Sequence, residues 1–230
     1  LAQVLSHYNH FVSQHDYKGG LADFIKKPGV INVQHRLLSF LNVGLVGCIG
    51  ITEKYEDSLL MINQQMQTDL VLKKENVNAT KCIKEQDLDE QLKELILRKN
   101  HLDVKLYDEA CFVHKQRLKQ LKAKMPIVSA YANVNANNVV HGCAYYTDSA
   151  DMVVLSVYIN DKEVKQIKAK EFYRSHSYAN FPRERYIGFR FPLPKEISAN
   201  DSIDLFVQKT GQKINYETLK SVKPDLMDKK

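Results

Sequence analysis

The spacing of apolar residues changes near Met125-Pro126, and this change limits the folds that the chain can adopt. Before that point apolar residues recur every three or four positions, which is the period of an amphipathic helix. After it they alternate with polar residues, which is the period of a half-buried strand. The sequence therefore predicts a helical first domain at 1–125, a strand-rich second domain at 126–218 and a flexible tail at 219–230.

The first domain combines helical segments with one apolar run. Residues 43–51 are rich in Val, Ile and Gly and predict a buried strand. Asp87 and Glu90 stand at the spacing of a helix cap. Because the first helical pattern already includes Leu1, we expect the chain to be a piece of a longer protein. Helical spacing occurs before Gly19, at 21–25, at 57–62, between Leu88 and Ile96, and between Leu102 and Leu121.

The second domain predicts an antiparallel β-sandwich. Residues 153–159 alternate, the three residues Asn160-Asp161-Lys162 supply a turn, and a second run begins at Glu163, which together form the pattern of a β-hairpin. Such short strands, separated by turn residues, are typical of a sandwich. The further strands are expected at 139–145, 187–191 and 203–207.

Charge narrows the classes of partner. The chain carries 33 Lys and Arg residues against 27 Asp and Glu residues, which gives a net charge of +6. This favours anionic partners such as phosphates, nucleotides or acidic glycans. Nucleic-acid binding would rest on that charge alone, because no recognition helix or interleaved basic and aromatic pattern is present. The longest apolar stretch, residues 43–51, is far shorter than the roughly 20 residues that span a bilayer, so no membrane span is predicted.

The cysteines and histidines do not predict a metal site. His7 and His10 are one helical turn apart, but no Cys or carboxylate stands at a matching offset. The four cysteines form no CxxC pair and predict reduced thiols. They are Cys48, Cys82, Cys111 and Cys143.

Two polar residues are candidates for binding an anion. Ser6 lies near the start of the first helix, where a hydroxyl and free backbone N–H groups can bind phosphate; it can equally cap the helix or face solvent. Arg36 can offer its planar guanidinium to phosphate or sulfate, or it can be an ordinary surface arginine. No GxxxxGK[ST] or GxGxxG phosphate loop is present.

Aromatic residues of the second domain allow two interpretations. They can stack on sugar rings, or they can fill the half-buried positions of an ordinary sandwich. The residues concerned are Tyr145, Tyr146, Tyr158, Phe172, Tyr173, Tyr178 and Tyr186.

Four stretches of the first domain resemble, in order, the sulfotransferases of the Golgi carbohydrate type and their bacterial relatives. Residues 5–10 resemble the end of the segment that binds the donor's 3′-phosphate, with Ser6 at the position of its serine; the arginine of that segment would precede Leu1. The most specific match is residues 49–59, which resemble the family's strand-to-helix junction. The other matches are residues 34–38, which include Arg36, and the final-helix residues Asn100, Asp103, Leu106, Tyr107 and Ala110.

The second domain resembles a β-sandwich that accompanies bacterial glycan-modifying enzymes. Residues 140–144, 157–161 and 188–194 carry this likeness, with Cys143 in place of the usual Trp. It implies a fold more than a function.

The resemblance implies an α/β, P-loop-like and helix-rich sulfotransferase portion followed by a C-terminal antiparallel β-sandwich. It implies transfer of a sulfuryl group from 3′-phosphoadenosine 5′-phosphosulfate (PAPS) to a hydroxyl of a carbohydrate or another glycan, without a metal. Ser6 and Arg36 would bind the donor nucleotide, and the catalytic residues stay unassigned. The family's loop for the 5′-phosphosulfate would precede Leu1, so we expect the chain by itself to be inactive.

The alternative is a non-catalytic glycan-binding or assembly module with a degenerate sulfotransferase-like core. The expected partners are a glycan or polysaccharide acceptor and, for the enzyme, the nucleotide sulfate donor, with no nucleic acid. We expect a bacterial cytoplasmic protein; a peripheral association with the membrane and a homo-oligomer remain open.

Overall fold

A computed structural model describes residues 2–15, 17–38, 42–73, 83–174, 181–198 and 200–221. The chain divides into two compact units that are discontinuous in sequence. Unit 1 consists of Leu1–Leu41 and Val71–Glu109, and unit 2 consists of Asn42–Leu70 and Ala110–Lys230. The domain bounds 1–125, 126–218 and 219–230 stay a prediction, and most of the expected tail lies outside the described residues.

The helices agree closely with the apolar periodicity of the sequence. The pattern that ends before Gly19 forms one helix, and Asn100 separates two later helices as its interruption of the pattern suggests. Asp89, rather than Asp87, caps the fifth helix, because its carboxylate accepts from Leu92 N at 2.7 Å. The α-helices of the described chain are α1 (Ala2–His15), α2 (Leu21–Phe24), α3 (Val33–Leu38), α4 (Tyr55–Met66), α5 (Glu90–Lys99) and α6 (His101–Lys122).

Unit 1 is held together by a small apolar and aromatic core. Leu5, on the predicted stripe of α1, is buried, and Tyr8 on the same stripe packs edge-to-face on Phe24 with 5.3 Å between ring centroids. Phe24 is fully buried in α2. The buried members of this core are Val4, Leu5, Leu21, Phe24, Ile25, Val30, Leu88 and Ile96.

Unit 2 contains two three-stranded antiparallel sheets. One has the order β1-β2-β5 and the other β4-β3-β6. The predicted hairpin is confirmed as β3 and β4, and its turn residues Asn160 and Asp161 have the positive φ angles of 49° and 63° that a tight two-residue turn requires. The strands are β1 (Val128–Val134), β2 (Val139–Tyr146), β3 (Val154–Ile159), β4 (Lys162–Lys168), β5 (Gly188–Pro192) and β6 (Ile203–Val207).

Alternate residues of both sheets share one hydrophobic core. In β2, for example, Val140, Ala144 and Tyr146 are buried members of the core. His141 and Cys143 alternate with them and point to the opposite face of the same sheet. This alternation fixes the register, because a slip by one residue would turn every core side chain outward.

The fold class expected from the resemblance, an α/β P-loop-like helix-rich portion plus a C-terminal β-sandwich, is wrong. The protein is a mixed structure with two small sheets, and every strand pair among the described residues is antiparallel. A P-loop-like α/β portion needs a parallel sheet, and residues 43–51 were its only candidate strand. That run instead forms a 3₁₀ turn at Val43–Leu45 followed by irregular chain.

A side chain explains why residues 43–51 form no strand. Arg117 Nη1 and Nη2 donate hydrogen bonds to the carbonyl oxygens of Gly44, Val46 and Gly47 at 2.6 to 3.1 Å. Carbonyls that accept from a guanidinium do not take part in a ladder, and the glycines in the run add little strand propensity. The apolar side chains Val43, Ile49 and Ile51 are buried nevertheless.

We expect Gly142→Ala to destabilise the protein. Gly142 lies in β2, where an added Cβ would overlap the carbonyl oxygen of Tyr131 and come within 2.9 Å of Phe189 Cζ. Relieving such an overlap costs about 1–3 kcal/mol of unfolding free energy or more. Chemical denaturation measures the loss. Gly47→Ala is the control, because a Cβ there meets nothing within 4 Å; an equal effect of both substitutions would contradict this packing.

Candidate functional site

The two residues predicted to bind the donor nucleotide both lie in unit 1. Ser6 is exposed on α1, but as the fifth residue of a helix that begins at Ala2 it follows the free N–H groups of the helix terminus. Arg36 is exposed on α3, and its Nη2 donates to Gly29 O at 2.8 Å. No hydrogen bond among the described residues joins the two side chains.

Polar contacts hold the segment that contains Arg36. The carboxylate of Asp103 accepts from His35 N at 2.7 Å and from Gln34 N at 3.3 Å, so it caps the start of α3. Asn100 Oδ1 accepts a hydrogen bond from Asn32 N at 3.0 Å. Asn32 Oδ1 in turn accepts from backbone N–H groups at the start of α6. The Gln-x-Arg stretch is thereby fixed to the Asn-x-x-Asp pair about 68 residues later.

The second motif of the resemblance is organised around Ser58. Its hydroxyl accepts from Ile51 N at 2.8 Å and donates to Ile51 O at 3.0 Å, which fixes the turn into α4. The Nε2 atom of His114, on α6, lies 3.2 Å from the same hydroxyl oxygen. The tautomer of His114 decides which of the two groups donates in this contact.

This Ser–His pair is not a nucleophile and its base. Ser58 and His114 are both buried, and the hydroxyl is engaged by the backbone of Ile51. A nucleophile needs a free path to its substrate and a proton that the base can take. Within the described chain His114 Nδ1 has no hydrogen-bond partner. The pair therefore positions α4 against α6.

Arg117 lies three residues further along α6 and is fully buried. Besides the three carbonyls of residues 44–47, its Nη2 donates to Ser129 Oγ on β1 at 3.2 Å. The acceptors that the described structure gives it are all neutral. One guanidinium thus fastens the 44–47 segment and β1 to α6, with five N–H donors in a rigid fork.

Burial shifts the pKa values of the groups in this cluster. It lowers the pKa of His114, an effect that the nearby Lys54 and Lys122 reinforce and Asp57 opposes. Burial also lowers the pKa of Arg117 and raises the pKa of the Cys48 thiol. In the β1-β2-β5 sheet burial raises the pKa of Cys143 to about 12, so this thiol is protonated and unreactive at neutral pH.

The aromatic residues named from the sequence fall into different environments. Tyr146 is a core residue, and Tyr178 lies outside the described residues. Tyr158 packs on Phe206 with 5.2 Å between centroids and donates to Glu163. Tyr145 and Tyr173 are half-buried beside Phe181. Among the described members of this set, Phe172 and Tyr186 are the exposed ones, and they pack on each other.

The sequence predicts neither a metal site nor a membrane span, and the structure bears on both for the described residues alone. They contain no group of three or more His, Cys, Asp or Glu side chains arranged to hold a metal ion. None of their helices has the length and apolar character needed to cross a membrane. His7, one of the two closely spaced histidines, packs edge-on against Phe24.

The chain matches no protein-family model, no curated protein and no solved structure. The resemblance to the sulfotransferases therefore rests on the motif residues themselves.

Sequence reasoning missed the two most buried polar side chains of α6. His114 and Arg117 occupy a helix face that also carries the buried Val113 and Leu121. The signal was available, since a basic residue on an otherwise apolar stripe must find internal partners. Which carbonyls it finds depends on the path of residues 44–47, which no local pattern reveals.

Acid should destabilise the protein partly through His114. Its pKa is below the ordinary value of 6.5 in the folded chain, so the unfolded chain binds the extra proton first. The stability that neutral His114 contributes is complete above about pH 6.5 and is lost as the pH falls through the folded pKa. We expect the difference in unfolding free energy between the parent and His114→Gln to shrink from pH 7.5 to pH 5. A constant difference would contradict the assignment.

Proposed function

We propose that this chain is part of a PAPS-dependent sulfotransferase that acts on a hydroxyl of a carbohydrate or another glycan. One observation carries the proposal. Within the matched stretch 34–38, Gln34 N and His35 N donate to the carboxylate of Asp103, a residue of the matched final helix. Asn32, just before that stretch, donates to Asn100 of the same helix motif. If the likeness is genuine, matched stretches that are far apart in sequence are expected to contact each other. Short matches that arise by chance would have no reason to do so.

In this proposal Ser6 and Arg36 contribute to the donor site. Both side chains are exposed, and Arg36 uses one terminal nitrogen for Gly29 O, which leaves other N–H groups of the guanidinium for an anion. A hydroxyl and a guanidinium suit a nucleotide phosphate, because charge-assisted hydrogen bonds to phosphate are short and strong.

Sulfuryl transfer itself is an in-line displacement at sulfur. The acceptor hydroxyl attacks, the S–O bond to the 5′-phosphate breaks, a base takes the hydroxyl proton, and cations stabilise the charge that grows on the leaving phosphate. No residue of this chain is assigned as that base. The proposal therefore gives the chain a share of the nucleotide site and expects no turnover by the chain alone.

A second function, a non-catalytic glycan-binding or assembly module, is favoured by a different observation. Phe172 and Tyr186 form an exposed aromatic pair at the edge of the β1-β2-β5 sheet, where arginines are frequent. The two functions are compatible, because a binding surface can hold the acceptor of an enzyme. We further propose a bacterial cytoplasmic location for either, with peripheral membrane association and self-association as open properties.

Titration calorimetry with 3′-phosphoadenosine 5′-phosphate tests the nucleotide site. We expect weak, salt-sensitive binding that falls about tenfold in Arg36→Gln and in Ser6→Ala, the loss of one charge-assisted hydrogen bond in each case. Arg98→Gln is the matched control, since Arg98 is another exposed arginine of unit 1. Binding that is equal in all three variants would remove Ser6 and Arg36 from the site.

If no binding is detected at millimolar nucleotide, the same titration is made on a form of the protein that is extended upstream of Leu1. If the extended protein also fails to bind the nucleotide, the sulfotransferase proposal is wrong and the binding module remains.

A further inference from the structure

We propose that one edge of the β1-β2-β5 sheet binds an anionic polysaccharide, with sugar rings on its exposed aromatic pair and carboxylate or sulfate groups on its arginines. We call this surface the aromatic–arginine edge. It is defined by Phe172, Arg174, Arg185, Tyr186 and Arg190. The inference names the acceptor class for the proposed sulfotransferase, and in that respect it rests on the proposed function; the binding itself needs no nucleotide.

The aromatic pair is exposed in a part of the chain that otherwise buries its large apolar groups. Phe172 and Tyr186 are each 50% exposed, and their ring centroids lie 5.7 Å apart at an interplanar angle of 68°. Among the described residues after Pro126, Val164 is the other exposed large apolar residue. Two tilted rings present flat faces and edges to solvent, onto which the C–H face of a sugar can pack.

Backbone pairing holds the two aromatic residues in place. Glu171 and Gly188 exchange two hydrogen bonds, at 2.8 Å and 2.7 Å, and so extend the sheet beyond β5. Tyr173 N donates to Arg185 O at 2.8 Å, next to Tyr186. Both rings are therefore carried by paired chain, so little conformational entropy is lost when a ligand binds.

A half-buried aromatic layer supports the same stretch of chain. Phe181 packs edge-to-face against Tyr173 at 5.6 Å and against Tyr145 at 5.9 Å. The guanidinium of Arg185 lies 5.9 Å from the centre of the Phe181 ring, which is the distance of a cation–π contact. Packing of this kind limits the rotation of Tyr173 and Arg185.

The charge around the pair is cationic. The described residues of 170–190 contain Lys170 and four arginines but only two carboxylates, Glu171 and Glu184, so their net charge is +3. Arg190 donates from Nε to Glu171 at 2.8 Å, yet its side chain is 71% exposed. Arginine is the residue best suited to hold sulfate or carboxylate in a planar fork. The four arginines are Arg174, Arg183, Arg185 and Arg190.

The turn that carries two of these arginines has an unusual backbone. Arg183, Glu184 and Arg185 all have positive φ angles, of 54°, 51° and 69°. Left-handed backbone is unfavourable for a non-glycine residue, so the surrounding contacts must enforce it. One such contact is Arg183 Nη1, which donates to Ala169 O at 3.0 Å. The strain is consistent with a turn that is shaped to display side chains.

A protein partner fits this surface less well than a glycan. Aromatic residues and arginine are also enriched at protein interfaces, but a stable interface buries about 800 Å² on each partner. Among the described residues after Pro126, Val164 is the one exposed large apolar residue besides this pair, so the apolar platform is small. Single-stranded nucleic acid needs a row of stacking rings along a cationic groove, whereas this edge presents one exposed pair. A sugar residue with a charged substituent needs just one aromatic platform and a nearby guanidinium.

The test is a binding assay of the whole 230-residue chain, without nucleotide, on three immobilised polymers. Heparin carries sulfate, alginate carries carboxylate, and dextran is neutral. We expect binding to heparin or alginate that weakens with added salt, and no binding to dextran. Phe172→Ala and Tyr186→Ala should each weaken binding about tenfold, as should the pair of substitutions Arg174→Gln and Arg190→Gln.

Matched controls and competing outcomes make the assay decisive. Tyr55→Ala removes an aromatic residue that is 47% exposed on α4, and it should leave binding unchanged. Each variant must unfold at the same temperature as the parent. Poly-dT is immobilised as a fourth polymer, for comparison. The inference is overturned if the parent binds neither heparin nor alginate, if the aromatic variants bind as the parent does, if dextran binds equally well, or if poly-dT binds through these residues more tightly than the polysaccharides. None of these results would alter the outcome of the separate nucleotide titration.

Discussion

The buried guanidinium of Arg117 is the contact on which the arrangement of unit 2 depends. Taking a charge out of water costs several kcal/mol, and the cost is recovered only when the donors of that group find acceptors. Here Gly44, Val46 and Gly47 supply carbonyls and Ser129 supplies a hydroxyl for the two terminal nitrogens, whereas Nε has no hydrogen-bond partner among the described residues. A helix, an irregular segment and a strand are therefore fixed by one side chain, and neutral acceptors suffice because each N–H–O bond is charge-assisted.

The same contact explains where local sequence patterns predict the fold and where they fail. The stripe of α1 and the alternation of β3 are local, so each predicts its element from a few residues. Residues 43–51 have the composition of a buried strand, but the carbonyls of residues 44, 46 and 47 accept hydrogen bonds from Arg117. Arg117 lies 70 residues beyond Gly47. β1 escaped notice because its Ser129, Ala130 and Ala132 give weak contrast between the two faces of a strand.

Several motif positions of this protein use their polar groups inside the fold. Asp103 and Ser58 belong to the stretches that resemble the sulfotransferases, and both use their polar atoms on backbone groups. Their chemistry is architectural, since a carboxylate that caps α3 or a hydroxyl that closes a turn is not available to a ligand. The sequence could single these residues out but could not reveal which of them face inward, because inward orientation depends on α6.

Any ligand must therefore be bound by the polar residues that the architecture leaves exposed. Ser6 and Arg36 meet that condition in unit 1, and the aromatic–arginine edge meets it in unit 2. In both proposals the ligand is an anion, which agrees with the net charge of +6. The two proposals differ in the groups that stand beside the cationic side chains. In unit 1 a hydroxyl and a guanidinium suit a phosphate. In unit 2 the exposed aromatic pair adds an apolar platform of about the size of a sugar ring. A sulfated or carboxylated polysaccharide satisfies both requirements of the second surface, and a nucleotide phosphate needs only what the first provides.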